Sequence, residues 1–471
     1  MNLYQSAPHH VWVETSLLAF IIWLVFIRKT VDPTKSTEKR TLTKHEEQML
    51  IDTWEPEPLV PRSFVPKKTE TPLIESVSGS YIRLVDSPAP LLNLSSFDFF
   101  GMGQNLEVKE AARKALEKYG CGSCGPRGFY GTIDVHLQFE QAIATYMGTE
   151  EAICYSDGAS AVSSEIPAFA KKGDLLLVDA ACSEPIHTGL CLSRATIQFF
   201  KHNDLAELRR ILESIANDDK RLKRDTTQQR RWIVTEGIYR NTGTICPLED
   251  ILALKKEFGY RLFMDESYSF GTIGETGRGV TEHFGVHIKE IDILNISLET
   301  TLGSVGGACI GTREVVDHQR LSGAGYCFSA AAPPYLSSVA IKSLSLLEHN
   351  PSYVRSLREN VVLFHSLLKD SDMYVPCCNQ TAIIHLNLRW QKDFNTEKEI
   401  METCAALCKD GCVAVVAKCE LSYMKTQLRP SLRIIVTSGL KREDIENAYQ
   451  VINKAFETVI EKNSSLCMGF F

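Results

Sequence analysis

The stretch YRLFMDESYSFGTIGETGRG, Tyr260 to Gly279, decides the fold class. Its apolar run is short and closes on turn-forming residues, the pattern of a strand covered on both faces of a sheet. The run ends on Asp265, and Gly271, Gly274, Gly277 and Gly279 then break any regular repeat. A carboxylate at the end of a buried strand is costly unless a cation or donors meet it. Asp265 is therefore either a capping or paired structural residue, or one that faces a ligand.

The same pattern recurs on both sides. LLLVD (Leu175 to Asp179), RWIVTEG (Arg231 to Gly237) and DILNIS (Asp292 to Ser297) are short apolar runs bounded by turns. Helical patterns lie between them; Asp204 can cap a helix whose Leu205, Leu208, Ile211, Leu212 and Ile215 share one face. Strands alternating with helices predict an α/β fold with a mainly parallel sheet and ligands at the strand C-termini. The charged stretch Asp218 to Arg231 reads as a solvated loop. Further on, a helix is expected over Tyr335 to Glu348, and Pro351 opens another through Leu368. AIIHLNL (Ala382 to Leu388) and SLRIIVTSG (Ser431 to Gly439) then read as strands of a smaller α+β domain. The expected division is a large domain over 91–345 and a small C-terminal domain over 346–471. There is no internal repeat.

The remaining 90 residues differ in character. VWVETSLLAFIIWLVFI, Val11 to Ile27, is nearly uninterrupted apolar sequence followed by Arg28 and Lys29. A bilayer span needs about 20 apolar residues, so this run, short by itself, must recruit Val11 to Val13. Basic residues after the run, and none before it, argue against a cleaved signal peptide and place the following chain on the cytosolic side. The expectation is an N-terminal transmembrane anchor over 1–30. Residues 31–90 read as a proline-punctuated tether and N-terminal arm, with one helix near Thr43 to Asp52.

Across all 471 residues the net charge of -7 excludes the basic face of a nucleic-acid binder. The 15 cysteines are scattered, as reduced thiols are. Cys121 and Cys124 form a Cys-x-x-Cys without a second pair at zinc spacing, and Cys404, Cys408 and Cys412 recur at helical spacing, so no metal is expected. Both cysteines of the first pair lie in GCGSCGPRGFYGTIDVH, Gly120 to His136, the densest glycine run of the chain. It lacks a phosphate-loop ending and a dinucleotide fingerprint. Gly122, Gly125, Gly128 and Gly131 let the backbone approach closely, and predict tight packing around Cys124.

From Pro90 onward the chain resembles the α-oxoamine synthase family, which condenses an amino acid with an acyl-CoA thioester on pyridoxal phosphate and releases CO2. The likeness rests on GSCGPRGFYGTIDVH (Gly122 to His136), TEEAICYSDG (Thr149 to Gly158), FKHND (Phe200 to Asp204), TEGIYRNTGTICPL (Thr235 to Leu248), DESYSFGTIGETGRGVTEH (Asp265 to His283) and DHQRLSGAGYCFSAAAPP (Asp317 to Pro334). Within the family it is similar to the lysine-less subunits of serine palmitoyltransferases. The resemblance implies a fold-type I pyridoxal-phosphate transferase in which Asp265 is a relic of the ring-nitrogen partner and Arg433 of the substrate-carboxylate arginine. Active members carry Ser-Lys-Ala-Leu/Phe-Gly after a strand; here Leu298-Glu-Thr-Thr-Leu-Gly303 puts Thr300 in the place of the lysine that holds the cofactor. Ser183 stands for the ring-stacking histidine, Tyr268 for the histidine of Asp-Glu-Ala-His, and Val162 for an asparagine of the phosphate cup. His187, one turn beyond Ser183, is an alternative ring.

A hydroxyl cannot form a Schiff base. The resemblance therefore implies that this chain has no catalytic residue of its own and pairs with a lysine-bearing subunit that binds pyridoxal phosphate covalently. The loop residues Cys124, Arg127, Phe129, Tyr130 and Gly131 would complete the partner's site. It further implies L-serine and palmitoyl-CoA as substrates, 3-ketodihydrosphingosine as product, small activating and regulatory membrane subunits, and an endoplasmic reticulum membrane location with a cytosolic body. The rival readings are a self-sufficient synthase using another lysine and a purely regulatory scaffold.

Overall fold

The computed structural model describes residues 8–30, 42–57, 72–369, 371, 373–378, 380–389, 392–418 and 428–464. The chain divides into two compact units, Met1–Thr71 and Pro72–Phe471.

In the first unit a helix runs from Pro8 to Thr30, and its described large apolar side chains, from Trp12 to Leu24, are exposed. Among the described residues no helix is long and apolar enough to cross a membrane; side chains are described here only over 12–24. A second helix, Lys44–Thr53, starts on a capping box in which Thr43 and Glu46 each accept the other's backbone N–H.

The second unit is built on a seven-stranded sheet. In spatial order its strands are Glu151–Tyr155, Gly307–Gly311, Ile293–Ser297, Arg261–Asp265, Arg231–Glu236, Leu175–Asp179 and Thr196–Phe200. Only Gly307–Gly311 runs against the others. The four apolar runs read as strands in the sequence are all in it, and Leu175 to Asp179 is buried throughout, as a strand covered on both faces must be. Three strands were not read: Glu151–Tyr155, Thr196–Phe200 and Gly307–Gly311. Asp204 does cap its helix, accepting the N–H of Glu207, and Leu208, Ile211 and Leu212 are buried. That helix continues to Leu222, so the first part of the expected loop at Asp218 is helical: Asp219 is held by Arg231 at 2.6 Å, which ties the charged turn to the sheet.

The C-terminal part carries helices Pro334–His349 and Ser352–Leu368 and a four-stranded sheet in the order Met373–Tyr374, Ile383–Leu388, Ser431–Ile435, Val416–Lys418. A third sheet joins the beginning of this unit to its end. Ile74–Ser78, Tyr81–Leu84 and Leu91–Asn93 are followed by Val413–Ala414, which pairs parallel to the last of them. Residues 74–84, read as part of an arm, are thus strands. A large apolar core spans the main sheet and the C-terminal part, and a small separate cluster of Ile82, Leu84 and Leu91, with Ala414 against it, underlies the third sheet.

Candidate functional site

The strands of the main sheet deliver their last residues to a cavity of about 390 Å³, where a parallel sheet ordinarily binds its ligands. Asp265 ends one strand there, Ser297 the next, and the helix Gly158–Phe169 contributes Gly158 and Val162. Thr300, Ser183, Tyr268, Val162 and Asp265, which lie up to 138 positions apart in sequence, all line this one space. Among the described residues no lysine does.

Asp265 is buried, and three donors converge on its Oδ1: the Ser267 N–H at 3.0 Å, the Ser267 hydroxyl at 2.6 Å and Asn295 Nδ2 at 3.0 Å. Burial still pushes its carboxyl up. Glu236, at the end of the neighbouring strand, accepts the backbone N–H groups of Ser183 and Arg240. Burial, with Asp265 nearby, pushes it up to about 8. Thr300 lies in the short helix Glu299–Leu302, and its hydroxyl donates to the Ser267 carbonyl at 2.7 Å. Tyr268 packs its ring against Phe97 at 4.9 Å, which sets an aromatic wall on one side.

That wall carries the cations. Arg433 lies 4.5 Å from the Phe97 ring centroid and Arg240 5.5 Å, both in cation–π range. Arg433 itself does not line the cavity; it reaches it through Phe97. Desolvation and Arg240 lower its guanidinium to about 10. Behind them, Lys418 Nζ donates to the Asn241 carbonyl at 2.7 Å and to Asn241 Oδ1 at 2.8 Å. Burial, together with Arg433 and Arg240, lowers this amine to about 6. Neither Phe97, Glu236, Arg240 nor Lys418 was singled out in the sequence. Arg240 and Glu236 fall in the TEGIYRN motif, but nothing in the spacing of Phe97 or Lys418 points to this cavity.

At the other end of the cavity lies the N-terminus of the helix Gly158–Phe169. Asp157 accepts the Ser160 N–H at 2.7 Å, and the Glu299 carboxylate accepts those of Gly158 and Gly306. Desolvation, with Asp157 beside it, pushes Glu299 up. A pyridoxal phosphate placed here would meet a carboxylate suited to its ring nitrogen in Asp265, but a hydroxyl where an amine is needed. Its phosphate would face the Glu299 carboxylate, which already takes the Gly158 N–H, while Asp157 takes that of Ser160. The residues present do not fit the whole cofactor. His187 does not replace the missing ring, because it stacks on Phe199 at 5.4 Å.

The glycine-rich loop lies apart from this cavity. Arg127 turns inward into a buried ion pair with Glu140, Nη1 to Oε1 2.9 Å. Phe129 is 68 % exposed and Tyr130 fully so, and the loop is pinned by Ser123 and Gly125 to Ala331. The expectation of tight packing holds for Gly131, where a Cβ would lie 1.9 Å from the Gly125 carbonyl oxygen. It fails around Cys124, which is exposed, with open space at Gly122 and Gly128. Cys124 (φ 61) and Tyr130 (φ 65) are both left-handed, a backbone that non-glycine residues adopt at a cost.

Comparison with known proteins accounts for this architecture. The class I and II aminotransferase family matches residues 89–452. Long chain base biosynthesis protein 1b of Oryza sativa subsp. japonica is 39 % identical over 454 residues, covering 96 % of this chain and 92 % of that protein. Serine palmitoyltransferase 1 of Dictyostelium discoideum is 38 % identical over 474 residues, with 98 % and 96 % covered. Among solved structures, SPT with a PLP internal aldimine superposes with a TM-score of 0.73 at 27 % identity, covering 83 % of this chain and 93 % of that one. Sphingomonas wittichii serine palmitoyltransferase gives 0.72 at 26 %, covering 88 % and 96 %. This chain belongs to the class I and II aminotransferase family, among the long chain base biosynthesis protein 1 and serine palmitoyltransferase 1 relatives.

Proposed function

We propose that this chain is the lysine-less half of a heterodimeric serine palmitoyltransferase, the enzyme that condenses L-serine with palmitoyl-CoA to 3-ketodihydrosphingosine, CoA and CO2. The observation that carries the reading is the cavity at the strand ends: it keeps Asp265 but offers only the Thr300 hydroxyl, which is already bonded to Ser267. Pyridoxal phosphate supplies the electron sink for the condensation; a partner chain with a lysine holds it. This chain contributes the wall of the partner's site through the loop at the exposed Cys124, with Arg127 and Gly131 holding that loop from within. Its exposed Phe129 and Tyr130, with Phe328 on the helix packed beside the loop at 85 % exposure, form an apolar face of the kind that protein partners cover. The exposed apolar side chains of the Pro8–Thr30 helix serve as the attachment to the endoplasmic reticulum membrane, with the body on the cytosolic side.

The test is affinity purification of the tagged chain from membranes, followed by assay with serine and palmitoyl-CoA and by borohydride reduction. Activity is expected only with a second, lysine-bearing chain present, and the reducible cofactor adduct only on that chain. CO2 release by this chain alone overturns the proposal. One observation favours the self-sufficient alternative: Lys418 is a buried amine of lowered basicity close to Arg240 and Arg433. An adduct mapped to Lys418 decides for it.

A further inference from the structure

A second cavity lies away from the strand C-termini. It has a volume of about 510 Å³, within the range of small-molecule sites, and opens at the opposite edge of the main sheet. Trp232 and Arg261 stand there at the beginnings of their strands, and Ile310 at the end of the one antiparallel strand. Five-residue strands rising about 3.3 Å per residue put roughly 15 Å of sheet between this cavity and the one at Asp265.

Its walls and rim differ in chemistry. Phe169, Trp232, Ile310 and Val315 make an apolar lining, with Phe169 and Trp232 rings 6.1 Å apart. Arg230, Arg261 and Lys289 line the same space and are exposed. Arg261 lies 5.6 Å from the Trp232 ring centroid. Among the described residues neither Arg261 nor Lys289 has a carboxylate in ion-pair reach. The acids of the cavity, by contrast, are engaged: Asp292 takes Lys255 at 2.5 Å, Glu150 accepts the Arg313 N–H, and Glu314 accepts backbone and Thr312 donors. Asp292 thus has a cation of its own and Glu150 and Glu314 are held by neutral donors, whereas Arg261 and Lys289 meet no carboxylate among the described residues.

A second, independent feature asks for an acceptor. Trp232 is 3 % exposed, yet its indole N–H donates to nothing among the described residues. A buried donor without a partner is costly.

We propose that this cavity is a binding site for a single-chain amphiphile with an anionic head, its chain on the Phe169, Ile310 and Val315 wall and its head between Arg261 and Lys289. The site is separate from the condensation chemistry, and its occupant is a ligand, not a reactant. Dodecyl phosphate and dodecanoate, below their micelle concentrations, are the probes; dodecanol is the neutral control. They are titrated into the full-length complex held in amphipol, following tryptophan fluorescence and thermal midpoint. Saturable binding of one or both anions is expected, at least tenfold tighter than dodecanol, and the arm that wins identifies the head as phosphate or carboxylate. Arg261→Glu with Lys289→Glu should weaken it at least tenfold while leaving serine condensation without ligand unchanged. Trp232→Phe should remove most of the fluorescence response. Equal binding of dodecanol, or affinity unmoved by the charge reversal, overturns the proposal. Because ligand-free activity is read in the same samples, loss of this site and failure of the condensation reading are told apart.

Discussion

Thr300 and Lys418 show why the chemistry of this cavity cannot be restored or reassigned by one side chain. Thr300→Lys places an amine at the cavity, but Glu299 and Asp157 still hold the helix N–H groups at the other end. The single variant should therefore bind pyridoxal phosphate weakly, and Thr300→Lys with Glu299→Gln about tenfold more tightly, which corresponds to about 1.4 kcal/mol of relieved repulsion. Absorbance titration of the purified chain measures this, and equal affinities would show that Glu299 does not guard the site. Lys418 gives a pH signature. Its folded value near 6 lies below the ordinary lysine value of about 10.4. The unfolded chain therefore holds the extra proton across that window, and stability rises with pH through it. Glu236, whose carboxyl burial and Asp265 push up, acts in the opposite sense, but it is present in both proteins when wild type and a Lys418 variant are compared over pH 8 to 9.5. There, wild type should gain about 1 kcal/mol per pH unit relative to Lys418→Met in chemical denaturation. Parallel curves would mean that Lys418 is charged in the fold. Asp265, Thr300, Ser183, Tyr268 and Val162 were legible through the family that the chain resembles, because each falls at a position of that family's motifs. Lys418 was not, because burial and like charges from Arg240 and Arg433 make it unusual, and those neighbours assemble only in three dimensions.

The glycine-rich loop is an element whose glycines differ in purpose. Gly131 has no room for a side chain, so Gly131→Ala must move the Gly125 backbone and should lower stability and partner pairing together. Arg127 and Glu140 form a buried pair in which Glu140 also accepts the Cys154 N–H at 2.9 Å, tying the loop to the edge strand. Arg127→Met leaves that carboxylate without its cation and should cost about 3–5 kcal/mol, whereas Arg127→Met with Glu140→Met should cost less. A denaturation series on the two variants decides it. Cys124 needs no room: at φ 61 its replacement by glycine relieves backbone strain, and Cys124→Gly should keep or slightly raise stability. Any loss of activity in that variant then comes from the thiol's contact with a partner. At this scale the sequence was legible where apolar runs were long. The Gly307–Gly311 strand was missed because glycines at both ends make GACIG look like a turn, and Glu151–Tyr155 because one edge of it carries Glu151 and reads as loop.

For the whole molecule the sequence pointed to a mainly parallel sheet, which is present, and to a smaller C-terminal domain, whose strands here belong to the same compact unit Pro72–Phe471. What it could not show is that strands at 74–93 share a sheet with Val413–Ala414, since pairing across more than 300 residues leaves no local pattern. The Pro8–Thr30 helix lies outside the compact unit Pro72–Phe471. Deleting residues 1–30 should leave the thermal midpoint of the body within about 1 °C and its partner still co-purifying, but release it from membranes on flotation; lost pairing would assign the helix to the interface. The sheet order also constrains how the chain is made. Glu151–Tyr155 hydrogen-bonds only to Gly307–Gly311 within the sheet. A ribosome adding roughly 5–20 residues per second takes on the order of 10 to 30 seconds to reach the second from the first. Throughout that interval the apolar AICY segment has emerged with no strand to pair with. Stalled nascent chains ending near residue 290 should thus be bound by holding chaperones and cut readily near Tyr155, and chains stalled past residue 350 should not.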